Sequence, residues 1–253
     1  MSSTAGSATV PRFDAAAFKR GAVSVRHPLT RALLALTFTT GLVDAVSYLA
    51  LGRVFTANMT GNVVLLGFGI AGSGGLPVVA PLVSLGAFLV GAGAGGVLVR
   101  RLAQRHPMLV ARGLAIETCL LGIAAVVAAT TTAQPGNASA YALIVLMASA
   151  MGVRNAIVRS IAVPDLTTTV LTMTLTGFAA ESRLAGGSGK GSLRRLAAVL
   201  AMLAGAIAGA LLLKASVFAP LALAAVLALA TWLVYVPAAV RLASKAHGAR
   251  VTG

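Results

Sequence analysis

The chain has 253 residues, of which 58% are hydrophobic and only 10% are charged, and its formal net charge is +15. Soluble domains carry about 25% charged residues, so this chain lacks the polar groups that would cover a water-facing surface. An ordinary soluble domain is therefore excluded. The basic residues flank apolar segments and form no separate module, which argues against nucleic-acid binding and for contact with anionic lipids at the cytoplasmic face.

In chain order, the sequence predicts a flexible basic tail over residues 1–28, a helical membrane domain over 29–238 and a basic C-terminal tail over 239–253. Six segments of the domain are long and apolar enough to cross roughly 30 Å of hydrocarbon. They cover about 30–52, 76–99, 113–132, 140–161, 196–213 and 217–236. The predicted fold class is an all-α integral membrane protein.

Two further apolar segments, about 54–71 and 165–180, are rich in Thr, Asn and Gly, and the charge pattern indicates whether they cross. If they do not cross and the N-terminus is cytoplasmic, both tails and the four arginines of 100–112 lie inside, as the positive-inside rule requires. If 54–71 crosses, those arginines are forced outside. We therefore predict six full spans plus two partial elements, in the cell inner membrane, with both termini cytoplasmic.

Two stretches of the first half recur in the second half. Residues 41–45 (GLVDA) align with 152–156 (GVRNA), and residues 56–61 (TANMTG) align with 172–177 (TMTLTG). Each half has three spans, and because three is odd the two halves would enter the membrane with opposite polarity. The sequence thus predicts an inverted 3+3 repeat, an arrangement common among transporters. The repeat halves cover about 29–132 and 140–236.

Asp44 is the most unusual residue of the predicted spans, because no other acid lies in the first of them. An unpaired carboxylate at this depth costs a few kcal/mol on insertion scales, so Asp44 should face the protein interior. There it would be hydrogen-bonded, ion-paired or protonated. Two interpretations stand side by side, namely a site for a proton or cation and a structural tie between helices.

Arg154 lies in the inner half of the fourth span, and a contact with Asp44 would need displaced or broken helices. Its neighbour Asn155 is the repeat counterpart of Asp44, and this neutral amide indicates one ionisable site rather than two. Glu117 lies one turn into the third predicted span, and we expect an interfacial ion pair between it and Arg112.

The two partial elements supply the remaining candidate residues. Gly61 and Asn62 suit a helix break or terminus, and the threonines of the second element can satisfy backbone groups that a break sets free. Entering from opposite sides, the elements would meet near the midplane and line a polar path; the alternative is tight helix packing. The predicted substrate-binding residues are Asp44, Asn58, Thr60, Gly61, Asn62, Arg154, Asn155, Thr172, Thr174, Thr176 and Gly177.

The same residues carry a resemblance to a known family. The stretch from Gly41 through Asp44 and Phe55 to Asn62 resembles the signature of the YoaK-like bacterial membrane proteins, a family of unknown function. Residues 151–156 and 171–177 resemble its second characteristic stretch. The likeness covers roughly residues 30–240. It implies a bacterial inner-membrane protein and brings no established activity.

The favoured function is a transporter or channel for a small solute or ion, with a polar site near the bilayer midplane. The alternative is a non-transporting membrane scaffold, assembly factor or sensor, in which the Thr/Gly elements serve packing alone. An enzyme is not expected, because the predicted spans hold no histidine and no pair of deep carboxylates. No cofactor and no metal are expected, because the single cysteine and three histidines show no ligand spacing. The expected partners are the lipid bilayer, anionic lipids and an unidentified small solute or ion, and a homo-oligomer stays open.

Overall fold

Helices form every regular element in the part of the chain that the structure describes. A computed structural model describes residues 28–102, 106–161, 171–182, 185–188 and 191–251. Nearly all of the predicted N-terminal tail and residues 165–170 of the second partial element lie outside these ranges. The helices are α1 (Pro28–Ala50), α2 (Met59–Ile70), α3 (Val79–Leu102), α4 (His106–Thr130), α5 (Ala138–Ile161), α6 (Leu171–Ala180), α7 (Ser192–Leu213) and α8 (Phe218–Val251), with a 3-10 turn at Ser73–Gly75.

Six of the described helices are long and apolar enough to cross a membrane, and this confirms the predicted all-α membrane fold. They are α1, α3, α4, α5, α7 and α8. Their outward faces carry large apolar side chains, such as Val90 and Val234, which are each 72% exposed in the isolated chain. Such surfaces would be unstable in water and are suited to contact with lipid chains.

Two boundaries differ most from the predicted ones. The sequence predicts a third span from about 113, whereas α4 begins at His106. Pro107 is suited to the first turn of a helix, where its missing N–H group loses no hydrogen bond. The predicted arginine loop of 100–112 therefore shrinks to the short connection between α3 and α4. At the other end, α8 continues as helix through Val251, beyond the predicted span.

The two partial elements contain short helices that cannot cross. At 1.5 Å per residue, the 12 residues of α2 and the 10 residues of α6 reach only about 18 and 15 Å. The chain reverses after α1 at Gly52 and Arg53, which have φ angles of 109° and 56°. Gly52 packs against Pro135, so this turn lies beside the connection between α4 and α5.

The spans pack in three pairs, and glycines lie at the contacts of two of them. Helix α1 packs on α7, α3 packs on α5, and α4 packs on α8. A Cβ atom added at Gly41 would overlap the carbonyl of Met202 on α7, and one added at Gly152 would overlap the carbonyl of Phe88 on α3. Gly41 and Gly152 occupy equivalent positions in the two aligned stretches. The α1–α7 and α5–α3 contacts are therefore built on the same local pattern.

Replacing Gly205 of α7 by alanine is expected to destabilise the protein, because the added methyl group would overlap the Phe38 carbonyl of α1. Both partners are helix backbone, so the helices must move apart, at a cost of about 1–3 kcal/mol. Thermal unfolding in detergent micelles measures the loss. Gly93→Ala is the matched control, because a Cβ atom there meets nothing within 4 Å. An equal loss in both variants would contradict the interpretation.

The buried apolar side chains form two clusters, one toward each face of the membrane. The first cluster includes Leu33, Leu36, Leu109, Leu114 and Ile157 and lies toward the face where α1 begins, here called the N-terminal face. The second includes Leu42, Val46, Leu121, Leu143 and Met147 and lies toward the opposite face. Between the clusters, polar residues occupy the middles of α1 and α4.

Candidate functional site

A layer of buried polar side chains separates the two apolar clusters. Thr39 and Thr40 lie near the middle of α1, Glu117 lies near the middle of α4, and Arg154 reaches them from α5. We call these four residues the central polar layer. Their positions place the layer near the middle of the spans.

Arg154 is the hub of the central polar layer. Its Nε donates to Oε2 of Glu117 at 2.9 Å, and its Nη2 donates to Oε1 of the same carboxylate. Nη1 donates to Thr40 Oγ1 at 2.8 Å and to the Leu36 carbonyl at 2.7 Å, while Nη2 also donates to Thr39 Oγ1 at 2.7 Å. All five N–H groups of the guanidinium are thus hydrogen-bonded.

The threonines of α1 orient the lone pairs that Arg154 uses. The hydroxyls of Thr39 and Thr40 donate to the Leu36 carbonyl at 2.8 and 2.9 Å. Each hydroxyl oxygen then keeps its acceptor capacity for the guanidinium. The arrangement holds one Arg–carboxylate fork in a fixed geometry between three helices.

Burial of this ion pair is nearly complete, since the side chains of Arg154 and Glu117 are only 2% and 1% exposed. Removing two charges from water costs several kcal/mol per ion, and hydrogen bonds to both partners are needed to offset that cost. A hydrophobic pair of similar volume would often be at least as stable. Charges kept at such depth in a membrane protein are usually kept for function.

A small cleft lies between the first half of α1, the first half of α4 and the last turns of α5. Its volume is about 30 Å³, which is room for one or two water molecules. Glu117 and Arg154 line it, and the rest of its wall is apolar apart from backbone. The wall residues are Ala32, Leu33, Leu36, Val110, Gly113, Leu114, Ile157, Val158 and Ile161.

Asp44 has a separate set of partners on the other side of the central polar layer. Its Oδ1 accepts hydrogen bonds from the backbone N–H groups of Thr56 and Ala57, at 3.1 and 2.9 Å. Asp44 lies six residues before the end of α1 at Ala50, which is a depth of about 9 Å. The chain that follows the turn at Gly52 therefore re-enters the protein to the level of Asp44. We call residues 54–58, between this turn and α2, the re-entrant segment.

Asn62 fixes the same re-entrant segment from its other side. Its Oδ1 accepts from the Phe55 N–H at 2.8 Å, and its Nδ2 donates to the Phe55 carbonyl at 2.6 Å. Ser84 of α3 donates to that carbonyl as well, at 2.7 Å. One fully buried amide side chain thus pairs with both backbone polar groups of Phe55, and Ser84 shares the carbonyl.

Replacing Asn62 by aspartate is expected to destabilise the re-entrant segment, although the two side chains have the same shape. A carboxylate still accepts from the Phe55 N–H, but it cannot donate to the Phe55 carbonyl and would place a charge in a buried site. We expect a loss of about 1–3 kcal/mol, measured by thermal unfolding in detergent. Asn58→Asp is the control, because Asn58 is exposed and uses only its oxygen, which accepts from the Gly61 N–H at 3.1 Å. A loss at Asn58 as large as that at Asn62 would contradict the expectation.

The other predicted site residues of the first element stand at its surface. Asn58 is the N-cap of α2, as its side chain accepts from the Gly61 N–H. Thr60 is exposed. A Cβ atom at Gly61 would lie 2.9 Å from the Phe55 ring, so glycine is needed for close approach there. These residues shape the re-entrant segment and do not contact the central polar layer.

In the second element, the described residues pack on α7. Gly177, the counterpart of Gly61, gives its carbonyl to Nη1 of Arg195 at 2.7 Å, and Arg195 also pairs with Glu181 at 2.7 Å. Thr174 is buried, whereas Thr172 and Thr176 are exposed. Asn155, the repeat counterpart of Asp44, is half-buried on α5. The structure therefore divides the predicted site residues among three places.

A comparison with protein families identifies the group to which the sequence belongs. Residues 32–234 match the family described as "Protein of unknown function (DUF1275)", which is most of the chain. This chain belongs to the DUF1275 family. Among curated proteins, the chain is similar to the UPF0700 transmembrane protein YoaK of Bacillus subtilis (strain 168), with 36% identity over 141 residues. That match covers 55% of this chain and 61% of the relative, and no solved structure matches the chain.

One expectation about charge pairing in this DUF1275 protein is wrong. The sequence suggests that Glu117 pairs with Arg112 at the membrane interface, but Glu117 is buried near the middle of α4 and pairs with Arg154. The error follows from the late predicted start of the third span, which puts Glu117 one turn from its end. The carboxylate of Asp44 accepts hydrogen bonds from two backbone N–H groups.

The central polar layer of the DUF1275 protein was only partly visible in the sequence. Arg154 is among the predicted residues, but Thr39, Thr40 and Glu117 are not. One signal was present, because Thr37, Thr39 and Thr40 cluster one turn before Asp44 in an apolar span. Among the described residues, no group of three His, Cys, Asp or Glu side chains could hold a metal ion.

Proposed function

We propose that the protein is a transporter or channel for a small solute or ion, and that its binding site near the bilayer midplane is centred on the central polar layer. The observation that carries the proposal is the buried Glu117–Arg154 pair, which lines a small cleft between three spans. A carrier needs polar groups at this depth that a substrate can reach from one side at a time. A purely structural helix contact does not need such an approach.

The charges in and beside the central polar layer also support transport. Among the described residues there, Asp44 and Glu117 are acids and Arg154 is the base that interacts with them, whereas the buried Arg194 and Arg195 lie on α7, so one negative charge remains when the first three are ionised. Buried uncompensated charge is expensive, and in carriers it serves to bind a proton or cation. The charge count therefore fits a transport step that includes a proton or cation.

The paired packing of the spans supports an inverted 3+3 repeat with halves of about 29–132 and 140–236. Gly41 and Gly152 make equivalent backbone contacts, on α7 and α3 respectively. In transporters with such repeats, one half rocks against the other around a central site. We propose a rocking motion of this kind here, with both termini cytoplasmic in the inner membrane, so that the cleft lies toward the cytoplasm.

Uptake by the purified protein in proteoliposomes tests the function. We expect accumulation of at least one solute from a panel of small organic acids, amino acids, amines and inorganic ions under an imposed proton or sodium gradient. Arg154→Lys should reduce the initial rate at least tenfold, because it keeps the positive charge and loses the fork that pairs with Glu117. The control Glu181→Gln should keep it, because Glu181 is 57% exposed and lies outside the central polar layer. Equal rates in all three proteins would refute the assignment of the site.

One observation favours the alternative of a scaffold, assembly factor or sensor. Asp44 and Asn62 form their hydrogen bonds with the backbone of the re-entrant segment, as residues with a structural role do. Single cysteine substitutions at Ala32 and at Leu42, in a Cys119→Ala background, distinguish a carrier from a scaffold. In a carrier, a membrane-impermeant thiol reagent should react with the cysteine at position 32 from the cytoplasmic side, and the rate of this reaction should change when the driving gradient is reversed. Access that never responds to a gradient or solute would support the scaffold.

A further inference from the structure

Three glycines lie at each of two helix contacts. They are Gly41, Gly205 and Gly209 between α1 and α7, and Gly91, Gly95 and Gly152 between α3 and α5. A Cβ atom added at any of them would lie no more than 2.8 Å from an atom of the facing helix. If one helix slid along its partner, a side chain would replace a glycine at the contact and force the backbones apart. Each pair is therefore held as one unit, and we call these units the α1–α7 pair and the α3–α5 pair.

The two pairs are built alike, and each combines one helix from either aligned half of the chain. On α1, residues three before and four after Gly41 face the glycines of α7. On α5, residues three before and four after Gly152 face the glycines of α3. Helices α1 and α3 belong to the first half, whereas α5 and α7 belong to the second. Each unit therefore contains parts of both halves.

Between the two pairs, close approach of helix to helix is limited. Among the described residues, α1 comes close to α5 at only a few positions, whereas α8 packs along α1 and α4 packs along α5. A buried apolar cluster also includes side chains of both pairs, such as Leu42 and Met147. Apolar contacts are non-directional, so they stabilise the packed state without fixing one relative position of the helices. Hydrogen bonds between the pairs, which are directional, fix that position.

Arg154 makes the first hydrogen-bonded bridge between the pairs. From α5 it donates to Thr39 Oγ1 at 2.7 Å, to Thr40 Oγ1 at 2.8 Å and to the Leu36 carbonyl at 2.7 Å, all on α1. Its other two bonds go to Glu117 on α4, outside both pairs. Breaking the bonds to α1 leaves this buried ion pair intact, and the cleft beside Arg154 has room for one or two water molecules that can replace them. Separation of α1 from α5 at this point thus leaves no charge unpaired.

The re-entrant segment makes the second bridge. The N–H groups of Thr56 and Ala57 donate to Asp44 of α1, at 3.1 and 2.9 Å. Ser84 of α3 donates to the Phe55 carbonyl of the same segment at 2.7 Å. One end of this bridge is thus on the α1–α7 pair and the other is on the α3–α5 pair. We call the three bonds from Arg154 to α1, together with the two bonds to Asp44, the latch.

We propose that the α1–α7 pair and the α3–α5 pair are two rigid bodies that move against each other, and that the latch holds them in the arrangement described above. This motion rests on the proposed function and names the helices that carry it out. Helices α4 and α8 pack on each other and on one pair each, and they form the frame between the moving bodies. Release of the latch lets α1 move with α7 away from Arg154, which stays bound to Glu117.

Distances between spin labels, measured by pulsed EPR on the full chain in lipid nanodiscs, test this motion. Labels are attached at four exposed positions in a Cys119→Ala background, through Arg31→Cys, Lys214→Cys, Arg101→Cys and Ala138→Cys. These positions lie at the ends of α1, α7, α3 and α5, in that order. Labels at 31 and 214, or at 101 and 138, report distances within a pair. Labels at 31 and 138, or at 101 and 214, report distances between the pairs, and every combination joins opposite faces of a membrane domain about 30 Å thick.

The double substitution Thr39→Val with Thr40→Val opens the latch, because it keeps the side-chain shape and removes two acceptors of Arg154. We expect both distances between the pairs to shift or split by more than about 2 Å, the scale of helix shifts in conformational switches, while both distances within a pair stay unchanged. Thr37→Val is the matched control, because Thr37 is buried on the same helix and its hydroxyl donates within α1, to the Leu33 carbonyl at 2.8 Å. All four distances in this control should match those of the unmodified protein.

Two results in a folded double variant would overturn the inference: distances within a pair that change as much as those between the pairs, or no change in any distance. If the double variant does not fold, Thr39→Val and Thr40→Val are measured singly, and the same two results decide. The labels report motion without any solute, so the two proposals fail separately. A selective change between the pairs without solute uptake would keep the rigid bodies and remove the transport function, whereas uptake with four unchanged distances would do the reverse.

Discussion

Replacing Arg154 by glutamine is expected to be the most damaging single substitution in the central polar layer. Glu117 would lose both of its hydrogen bonds from the guanidinium and would stay in a buried site, either charged without a partner or protonated. The hydroxyls of Thr39 and Thr40 would lose their donors at the same time. We expect a loss of about 3–5 kcal/mol. Thermal unfolding and the yield of monodisperse protein in detergent measure it.

The matched control is the double variant Arg154→Gln with Glu117→Gln. Two neutral amides can hydrogen-bond to each other and leave no buried charge, so the double variant should be more stable than Arg154→Gln alone. The difference from additivity is the coupling of the pair, expected at about 1–3 kcal/mol. Purely additive losses would mean that the two side chains do not interact as the structure places them.

Replacing Asp44 by alanine is expected to release the re-entrant segment from α1. The substitution removes the acceptor of the Thr56 and Ala57 N–H groups at a depth where water does not replace it. Hydrogen bonds to a charged group contribute about 1.5–3 kcal/mol each, so we expect a loss of about 3–6 kcal/mol for the two bonds. Cleavage by an added protease near Arg53, in the exposed turn after α1, should become faster in nanodiscs.

Asp44→Asn is the control that separates structure from function. Its amide keeps one carbonyl oxygen, and a single oxygen of Asp44 accepts both N–H groups. The asparagine variant should therefore keep most of the stability that the alanine variant loses. If it also keeps full transport, Asp44 is a structural tie; if it folds but does not transport, the charge itself is used. Both interpretations of Asp44 that the sequence left open are decided by this pair of variants.

The expected effects of Gly205→Ala and Asn62→Asp complete this set, because they probe contacts on either side of the central polar layer. Gly205 reports whether α1 and α7 touch backbone to backbone, and Asn62 reports whether α2 and α3 hold the re-entrant segment. Together with Arg154 and Asp44 they test each set of contacts that positions the proposed site.

Asp44 and Glu117 show how much of the candidate site could be predicted from the sequence. Asp44 was conspicuous because it is an acid within a long apolar run, and the cost of a bare carboxylate in hydrocarbon requires that it face inward. The same rule applies to Glu117, but it gave the wrong result there because the start of the helix was misplaced. A shift from residue 113 to His106 moves Glu117 from the membrane interface to the middle of the span.

By itself, the sequence determined that this is a helical membrane protein with six spans and two short Thr/Gly-rich elements. Hydrocarbon solvates neither bare backbone nor charge, so the lengths of apolar runs and the positions of charges leave few arrangements open. Only the tertiary structure decided which charges meet. Residues 36, 117 and 154 are joined by contacts between α1, α4 and α5, and the choice of Glu117 over Asp44 as the partner of Arg154 depends on helix depth and rotation. Neither is fixed by spacing along one chain, because each helix can turn or slide by a residue without changing its apolar length.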